Sequence, residues 1–205
     1  MNILRIKKGD TDYPAIMLQF LGNNAPKALS TIGNPDILHN QKLAIFCSAK
    51  CPGNLILQTY DLAQKLREKG ITIISGFHSP IEQECLRLLL RGDKPIILCL
   101  ARSIEKLRIR REYRGPLAER RLLILSPFAE TQPRPTVATS LYRNHFVIAL
   151  ADSIFVPYAA PSSKTENFCN EILCCQKPLY TFESDFNKNM INLGATPVNL
   201  EHLPW

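Results

Sequence analysis

A short polar loop near residue 160 carries side chains suited to holding an anion. The apolar run DSIFVPY (152–158) gives way to APSSKTE, and a helical pattern follows at once. With Ser163 as N-cap, backbone N–H groups and the positive end of the helix dipole would face a phosphate. Lys164 adds a charge where the anion would sit, although an ordinary capped helix with Glu166 at its third position shows the same pattern. The candidate ligands here are Ser162, Ser163, Lys164 and Thr165.

Three further loops offer phosphate ligands, and each follows an apolar run of the strand type. They are CSAKCPG (47–53), GFHSP (76–80) and LARS (100–103). None contains the G-x-G-x-x-G or Walker pattern, so we expect no nicotinamide or ATP site and no cofactor. A histidine in the second loop could move protons, but no carboxylate pattern orients it, which favours a phosphate or backbone contact. The candidate ligands in these loops are Ser48, Lys50, Gly76, His78, Ser79 and Arg102.

A fifth pair of candidates lies near the start of the helical pattern TSLYRNHFVIAL (139–150). Arg143 enters an otherwise apolar helix, so its guanidinium must reach the helix end or meet an anion. A salt bridge at the edge of the core would satisfy it equally well. We therefore include Arg143 and its neighbour Asn144 as candidates, with both explanations open.

Strands and helices must alternate to position these loops. Strands are predicted at KLAIF (42–46), ITIIS (71–75), PIILCL (95–100), RLLILS (from 121), DSIFVPY and PLYTF (178–182). Four helices are predicted. The first runs from about Asn54 to a left-handed cap at Gly70. The second begins at an N-cap, Ser79, with Glu82 completing a capping box, and the other two lie near 138–150 and from Lys164 onward. This alternation indicates an α/β fold, a doubly wound and mostly parallel sheet of the extended Rossmann-like type, flanked by helices.

In such a sheet ligands bind beyond the carboxyl ends of the strands, where all the candidate loops and Arg143 should converge on one cleft. We expect three segments: an N-terminal extension (1–40) packed on the core as a separate layer, a Rossmann-like domain (41–182), and a C-terminal appendage (183–205). The proline-rich loop 126–136 has the length of a mobile lid.

Positive charge is concentrated in one part of the chain. The net charge is +7, and residues 102–121 hold eight lysines and arginines against three glutamates. Such a stretch is expected of a protein with a polyanionic partner, although a solvated helix face would show the same mixture of signs. These cations are Arg102, Lys106, Arg108, Arg110, Arg111, Arg114, Arg120 and Arg121.

Composition also limits the location of the protein. The seven cysteines are scattered, mostly in apolar runs, which favours reduced thiols and a cytoplasmic protein. The spacing of Cys47 and Cys51, with Cys174 and Cys175, lacks the tight pairing of a zinc site, so no metal is expected. No apolar run reaches about 18 residues and the N-terminus has no secretory pattern, so we expect no membrane partner.

The loop motifs together resemble a known family over residues 10 to 182. The N-terminal part has Tyr-Pro, Leu, Pro, Leu and Gly before the first predicted strand. The later loops keep the serine of a Gly-Ser-Arg motif, the Ser-Gly, the isoleucine and an acid of a Ser-Gly-x-Ala-Arg-Gly-Ile-Asp motif, and two residues of Arg-Asn-Arg. The matching positions are Tyr13, Pro14, Leu18, Pro26, Leu29, Gly33, Ser48, Ser75, Gly76, Ile81, Glu82, Arg143, Asn144 and the loop 162–165. The chain thus resembles the Rossmann-like domain of the DNA-processing protein A (DprA or Smf) family, within the superfamily of lysine-decarboxylase-like (LOG-related) phosphoribohydrolases.

This resemblance implies a nucleic-acid-binding protein connected with DNA uptake and recombination. Single-stranded DNA, or a nucleotide, would bind through the cleft and the basic surface. A recombinase partner and a homodimer are further implications that the residues leave open. The phosphates would be held by Lys50, Ser79, Arg102, Arg143, Ser163 and Lys164.

An alternative is a nucleotide sensor or a phosphoribohydrolase acting on nucleoside monophosphates. In those related enzymes a catalytic glutamate follows the loop threonine by three residues. Here Phe168 stands at that distance from Thr165, and the adjacent Glu166 is explained by the helix cap. Binding is therefore favoured over catalysis, and we assign no catalytic residue.

Overall fold

Uninterrupted apolar runs form the central strands of one sheet, and every residue of these strands is buried. The computed structural model describes residues 2–205. Its strands are β1 (Leu4–Lys7), β2 (Ala28–Gly33), β3 (Lys42–Ile45), β4 (Thr72–Ser75), β5 (Ile96–Cys99), β6 (Leu122–Ser126), β7 (Ser153–Phe155), β8 (Leu179–Phe182) and β9 (Thr196–Val198). Its α-helices are α1 (Ile16–Leu21), α2 (Gly53–Leu66), α3 (Pro80–Leu90), α4 (Arg111–Ala118), α5 (Val137–Leu150), α6 (Lys164–Cys174) and α7 (Lys188–Leu193).

The strand order is β1-β2-β6-β5-β4-β3-β7-β8-β9. Strands β3 to β9 pair in parallel, whereas β2 pairs antiparallel with both of its neighbours, β6 and β1. The chain leaves β3 toward β4, β5 and β6, and later returns to the other side of β3 through β7. This reversal between β3 and β7 is a topological switch point, where open α/β sheets bind their ligands. The predicted doubly wound, mostly parallel sheet is confirmed.

Alternating strand residues build a core on each face of the sheet. Ala44 packs into the core with α1, α5, α6 and α7, whereas its neighbours Leu43 and Ile45 pack with α2, α3 and α4. Both faces of the parallel strands are therefore covered, as their continuous hydrophobicity predicts. No helix within residues 2–205 has the length and apolarity needed to cross a membrane.

The N-terminal segment does not form a separate layer, and that prediction is wrong. Strand β2 pairs with β6, with Ser30 opposite Ser126, and β1 extends the sheet beyond it. Without this pairing β6 would expose a row of unpaired backbone groups, which explains why the segment enters the sheet. The Tyr13 hydroxyl donates to the Pro26 carbonyl at 2.7 Å and ties together the two ends of the connection between β1 and β2, which contains α1.

The C-terminal segment also joins the sheet, through β9 on β8. Trp205 packs edge-to-face against Tyr180 and Phe155, with ring centroids 5.1 and 5.9 Å apart. One sheet thus runs through all three predicted segments. A second correction concerns Gly70, which lies beyond the helix: α2 already ends at Leu66, and Gly70 has no left-handed backbone angle.

Candidate functional site

Ser48 joins the two loops that flank the switch point. Its hydroxyl accepts from the Ala160 N–H at 3.2 Å, and its own N–H donates to the Tyr158 carbonyl at 3.1 Å. Ser48 is buried, and its hydrogen bonds hold the loop after β3 against the loop after β7. Lys50 lies exposed on the loop after β3 and does not border the hollows described next.

Two adjoining hollows of about 310 and 200 Å³ open at the carboxyl edge of the sheet. They share Phe46, Cys47, Glu82 and Asn144, and we call them together the phosphate cleft. Half of the predicted site residues border this cleft. These six are His78, Ser79, Arg143, Asn144, Lys164 and Thr165.

Arg143 is the only arginine bordering the phosphate cleft, and it is 5% exposed. Its Nη1 donates to the Cys99 carbonyl at 3.3 Å and its Nε donates to Asn144 Oδ1 at 2.9 Å. Burial lowers the pKa of Arg143, while nearby Glu82 acts in the opposite direction. Arg143 forms no ion pair with any residue from 2 to 205, so the salt-bridge explanation fails. The direct hydrogen-bond partners of the guanidinium are neutral and the Glu82 carboxylate acts on it only from a distance, so the buried charge favours a bound anion.

Gly76 provides the space that the Arg143 guanidinium occupies. A Cβ atom built on Gly76 would overlap the Nη1 and Cζ atoms of Arg143. The glycine of the GFHSP loop is therefore required by this close approach, and it covers the guanidinium instead of contacting a ligand in the phosphate cleft itself.

The buried carboxylate of Glu82 ties two loops together. We predicted a capping box, and Ser79 does accept from the Glu82 N–H at 3.3 Å. The carboxylate, however, accepts from the Cys47 N–H at 3.0 Å and from the His78 N–H at 2.8 Å. Glu82 therefore fixes the loop after β3 to the loop after β4. The Ser-x-x-Glu spacing indicated only the cap and could not show the contact across strands.

The turn after β4 is strained at Phe77, which has a φ of 46°. A bulky residue rarely adopts this left-handed conformation, and such strain is concentrated at functional sites. Ser75 Oγ accepts from the Phe77 N–H at 3.1 Å, and Phe77 is itself buried. The strained turn places exposed His78 and buried Ser79 at the border of the phosphate cleft.

The APSSKTE loop is held mainly by Glu166. Ser163 is the N-cap of α6, as predicted, and accepts from the Glu166 N–H at 3.2 Å. The Glu166 carboxylate reaches one residue further back than a capping box requires and accepts from the Ser162 N–H at 2.7 Å. Asn189 donates to its other oxygen at 2.5 Å. Of the four loop candidates, Lys164 and Thr165 border the cleft, whereas Ser162 and Ser163 shape the turn.

This division of roles predicts a stability effect confined to the cap. Replacing Ser163 by alanine should lower the free energy of unfolding by about 1 kcal/mol, because the Glu166 N–H loses its acceptor. Ser162→Ala is the matched control: its side chain is exposed, and its left-handed backbone with a φ of 58° strains any residue with a Cβ, so stability should change by less than about 0.5 kcal/mol. Urea unfolding of both variants measures the difference, and equal stabilities would contradict the cap.

The basic stretch does not form one continuous surface. Residues 102–110 are irregular instead of helical, which also excludes the solvated-helix interpretation for that part. Arg120 donates to Asn34 Oδ1 at 3.0 Å and Arg121 to the Leu90 carbonyl at 2.8 Å, so both serve the fold. A separate hollow of about 400 Å³, which we call the basic groove, collects four cations of the stretch together with Gly76 and with Arg87 from α3, whereas Arg111 and Arg114 do not border it. Its cations are Arg87, Arg102, Lys106, Arg108 and Arg110.

Phe168, three residues after Thr165, occupies the apolar end of the phosphate cleft. It is buried and packs edge-to-face on Phe46, with ring centroids 5.0 Å apart. An aromatic ring cannot supply the acid or nucleophile that glycoside cleavage needs. Within residues 2–205, no group of three or more histidine, cysteine or acidic side chains is arranged to hold a metal ion.

The sheet order, the switch point and the cleft beside it place the chain among the extended Rossmann-like proteins. A family model narrows this class, since the model of DNA recombination-mediator protein A matches residues 5–200. The chain therefore belongs to the DNA recombination-mediator protein A family, which is the DprA family that the loop motifs indicated. Comparison with curated proteins gave no match.

Solved structures share this fold. The chain is 18% identical to DNA processing protein A of Streptococcus pneumoniae, with a TM-score of 0.78, covering 96% of this chain and 71% of that one. It is 22% identical to the Helicobacter pylori protein, described for its single-stranded DNA binding mode, with a TM-score of 0.75 and coverages of 97% and 92%. The molybdenum cofactor carrier protein of Chlamydomonas reinhardtii shares the fold at 12% identity, with a TM-score of 0.53 and coverages of 78% and 90%.

Proposed function

We propose that this protein binds single-stranded DNA and holds a backbone phosphate in the phosphate cleft. The observation that carries the proposal is Arg143, a buried guanidinium that only neutral groups contact. Membership of the DNA recombination-mediator protein A family supports it, as does the single-stranded DNA binding described for the Helicobacter pylori relative.

The residues of the cleft would divide the work of holding the phosphate. Arg143 supplies a fixed charge in a site of low dielectric constant, where its attraction for an anion exceeds that of a surface arginine. Lys164 supplies a second, exposed charge at the start of α6. Asn144 borders both hollows and orients the guanidinium through its side-chain oxygen. The apolar side chains Phe46 and Phe168 would face the sugar or base.

The other predicted phosphate ligands differ in their position relative to the cleft. Ser79 and Thr165 border the cleft and can donate to phosphate oxygens, and His78 lies exposed beside them. Lys50 lies outside the cleft, so we propose only a weak electrostatic contribution from it. A recombinase partner, a homodimer and a cytoplasmic location stay predictions.

A salt series tests the proposal. If the native protein contacts a strand backbone, the logarithm of its affinity for oligothymidylate should fall linearly with the logarithm of salt concentration, by about 0.7 per phosphate neutralised. Lys164→Ala should reduce that slope by about 0.7, because one phosphate contact is lost. Fluorescence anisotropy with a labelled oligonucleotide measures both quantities.

The matched control is Lys69→Ala, which removes an exposed lysine between α2 and β4, at the opposite edge of the sheet. Its slope should equal that of the native protein. The proposal is wrong if the native protein does not bind the oligonucleotide at low salt, or if its affinity does not respond to salt.

A further inference from the structure

The basic groove is a second cationic site, distinct from the phosphate cleft. It lies between α3 and the segment 102–113. Two of its cations are already neutralised, Arg87 by Glu84 at 2.9 Å and Arg110 by Glu112 at 3.6 Å. The other three form no ion pair with any residue from 2 to 205. These three are Arg102, Lys106 and Arg108.

Apolar side chains also line the groove, alongside its cations. Phe77, Leu98 and Leu100 line it, and Tyr113 lies beneath Arg110, whose guanidinium carbon is 5.8 Å from the ring centroid. Cations beside apolar and aromatic side chains suit a nucleotide chain, whose phosphates meet the charges while its bases lie against the apolar groups. An acidic peptide could pair with the cations, but its carboxylates offer no flat surface for the apolar groups.

The groove and the cleft share a wall formed by the strained turn and the first turns of α3. Gly76 and Phe77 border the groove, whereas His78 and Ser79 border the cleft. A backbone that occupies both sites must bend over this turn. A single strand bends freely, but a duplex has a persistence length of about 150 base pairs and resists such a bend.

We propose that the basic groove holds the continuation of the strand whose phosphate lies in the cleft. This inference rests on the proposed function and extends it, because it makes the ligand a polynucleotide that spans two sites. The cleft alone would accept a single nucleotide. The groove would then supply the preference for a longer strand and part of the salt dependence.

The test compares two charge-matched triple variants of the full chain. The groove variant carries Arg102→Ala, Lys106→Ala and Arg108→Ala. The control carries Lys69→Ala, Arg91→Ala and Lys94→Ala, three positions next to β4 and β5 at the opposite edge of the sheet. The probes are oligothymidylates of about 2 and about 16 nucleotides, the latter at the long end of known single-strand site sizes.

We expect the groove variant to bind the long probe at least about tenfold more weakly than the control, with a salt slope reduced by about 2 for three lost phosphate contacts. Its affinity for the short probe should change by less than about threefold, through long-range electrostatics alone. Arg108→Glu, a single change at an exposed position, should give the same pattern if the triple variant is unstable.

Equal affinity and slope of the groove and control variants for the long probe would overturn the inference while leaving the cleft intact. Displacement of the long probe by polyglutamate as readily as by unlabelled oligothymidylate would also overturn it, in favour of an acidic protein partner. Failure of the native protein to bind either probe would instead overturn the proposed function, so the two failures are distinguishable.

Discussion

Replacing Glu82 by alanine is expected to destabilise the protein by about 2 to 6 kcal/mol. Its carboxylate accepts from two backbone N–H groups, one in the loop after β3 and one in the loop after β4. Removing the only acceptor observed for each leaves two donors without a partner, and each orphaned buried donor costs about 1–3 kcal/mol. The free energy of unfolding of Glu82→Gln should lie between those of the native protein and Glu82→Ala. One amide oxygen remains as an acceptor, whereas the NH₂ group faces the second donor and cannot accept from it.

The control for this prediction is Glu84→Ala on the same helix. Glu84 is half-buried and its contact is an ion pair with exposed Arg87, so its loss should cost less than about 1 kcal/mol. Urea unfolding at neutral pH gives the three free energies. Similar values for Glu82→Ala and Glu84→Ala would show that the loops hold their positions without the buried carboxylate.

Gly76→Ala is expected to weaken oligothymidylate binding about as much as Arg143→Ala does. The added methyl group would overlap the Arg143 guanidinium, and the flexible end of that side chain must leave its place beside Cys99. Losing a charge-assisted hydrogen bond to a phosphate should cost about 1.5–3 kcal/mol of binding free energy. Anisotropy titrations of the two single variants provide the comparison.

The double variant makes this prediction sharper. With Arg143 already reduced to alanine, the methyl group at Gly76 no longer meets the guanidinium, so the second substitution should cost little further affinity or stability. Gly53→Ala is the control, because nothing lies within 4 Å of its added Cβ. Additive losses in the double variant would mean that Gly76 and Arg143 act independently, which the geometry does not allow.

Much of the fold was predictable from the sequence between residues 42 and 182. Each strand there is a continuous apolar run, and the caps at Ser79 and Ser163 mark helix starts by local chemistry alone. The pairing of β2 with β6 was not predictable, because it depends on an edge created by strands far along the chain. A short segment such as ALSTIG carries no local indication of its partner.

The candidate site was predictable only in outline. The rule that ligands bind beyond the carboxyl ends of parallel strands correctly brought His78, Arg143 and Lys164 together. It could not show that Arg143 lies beneath Gly76, or that Glu82 reaches across to Cys47, since both contacts depend on side-chain directions in three dimensions. The basic stretch suggested one continuous surface, but cations that are neighbours in sequence lie on different surfaces of the protein.

The pairing of β2 with β6 also sets an order of events during synthesis on the ribosome. Ser30 finds its partner only when Ser126 has emerged, so the side of β2 that will face β6 remains unpaired while most of the sheet is being made. Contacts so distant along the chain slow folding and prolong the exposure of strand edges. The β1–β2 pair is therefore the part of the nascent chain that most needs protection from association with other chains, until β2 docks onto β6 and leaves β1 as the edge strand.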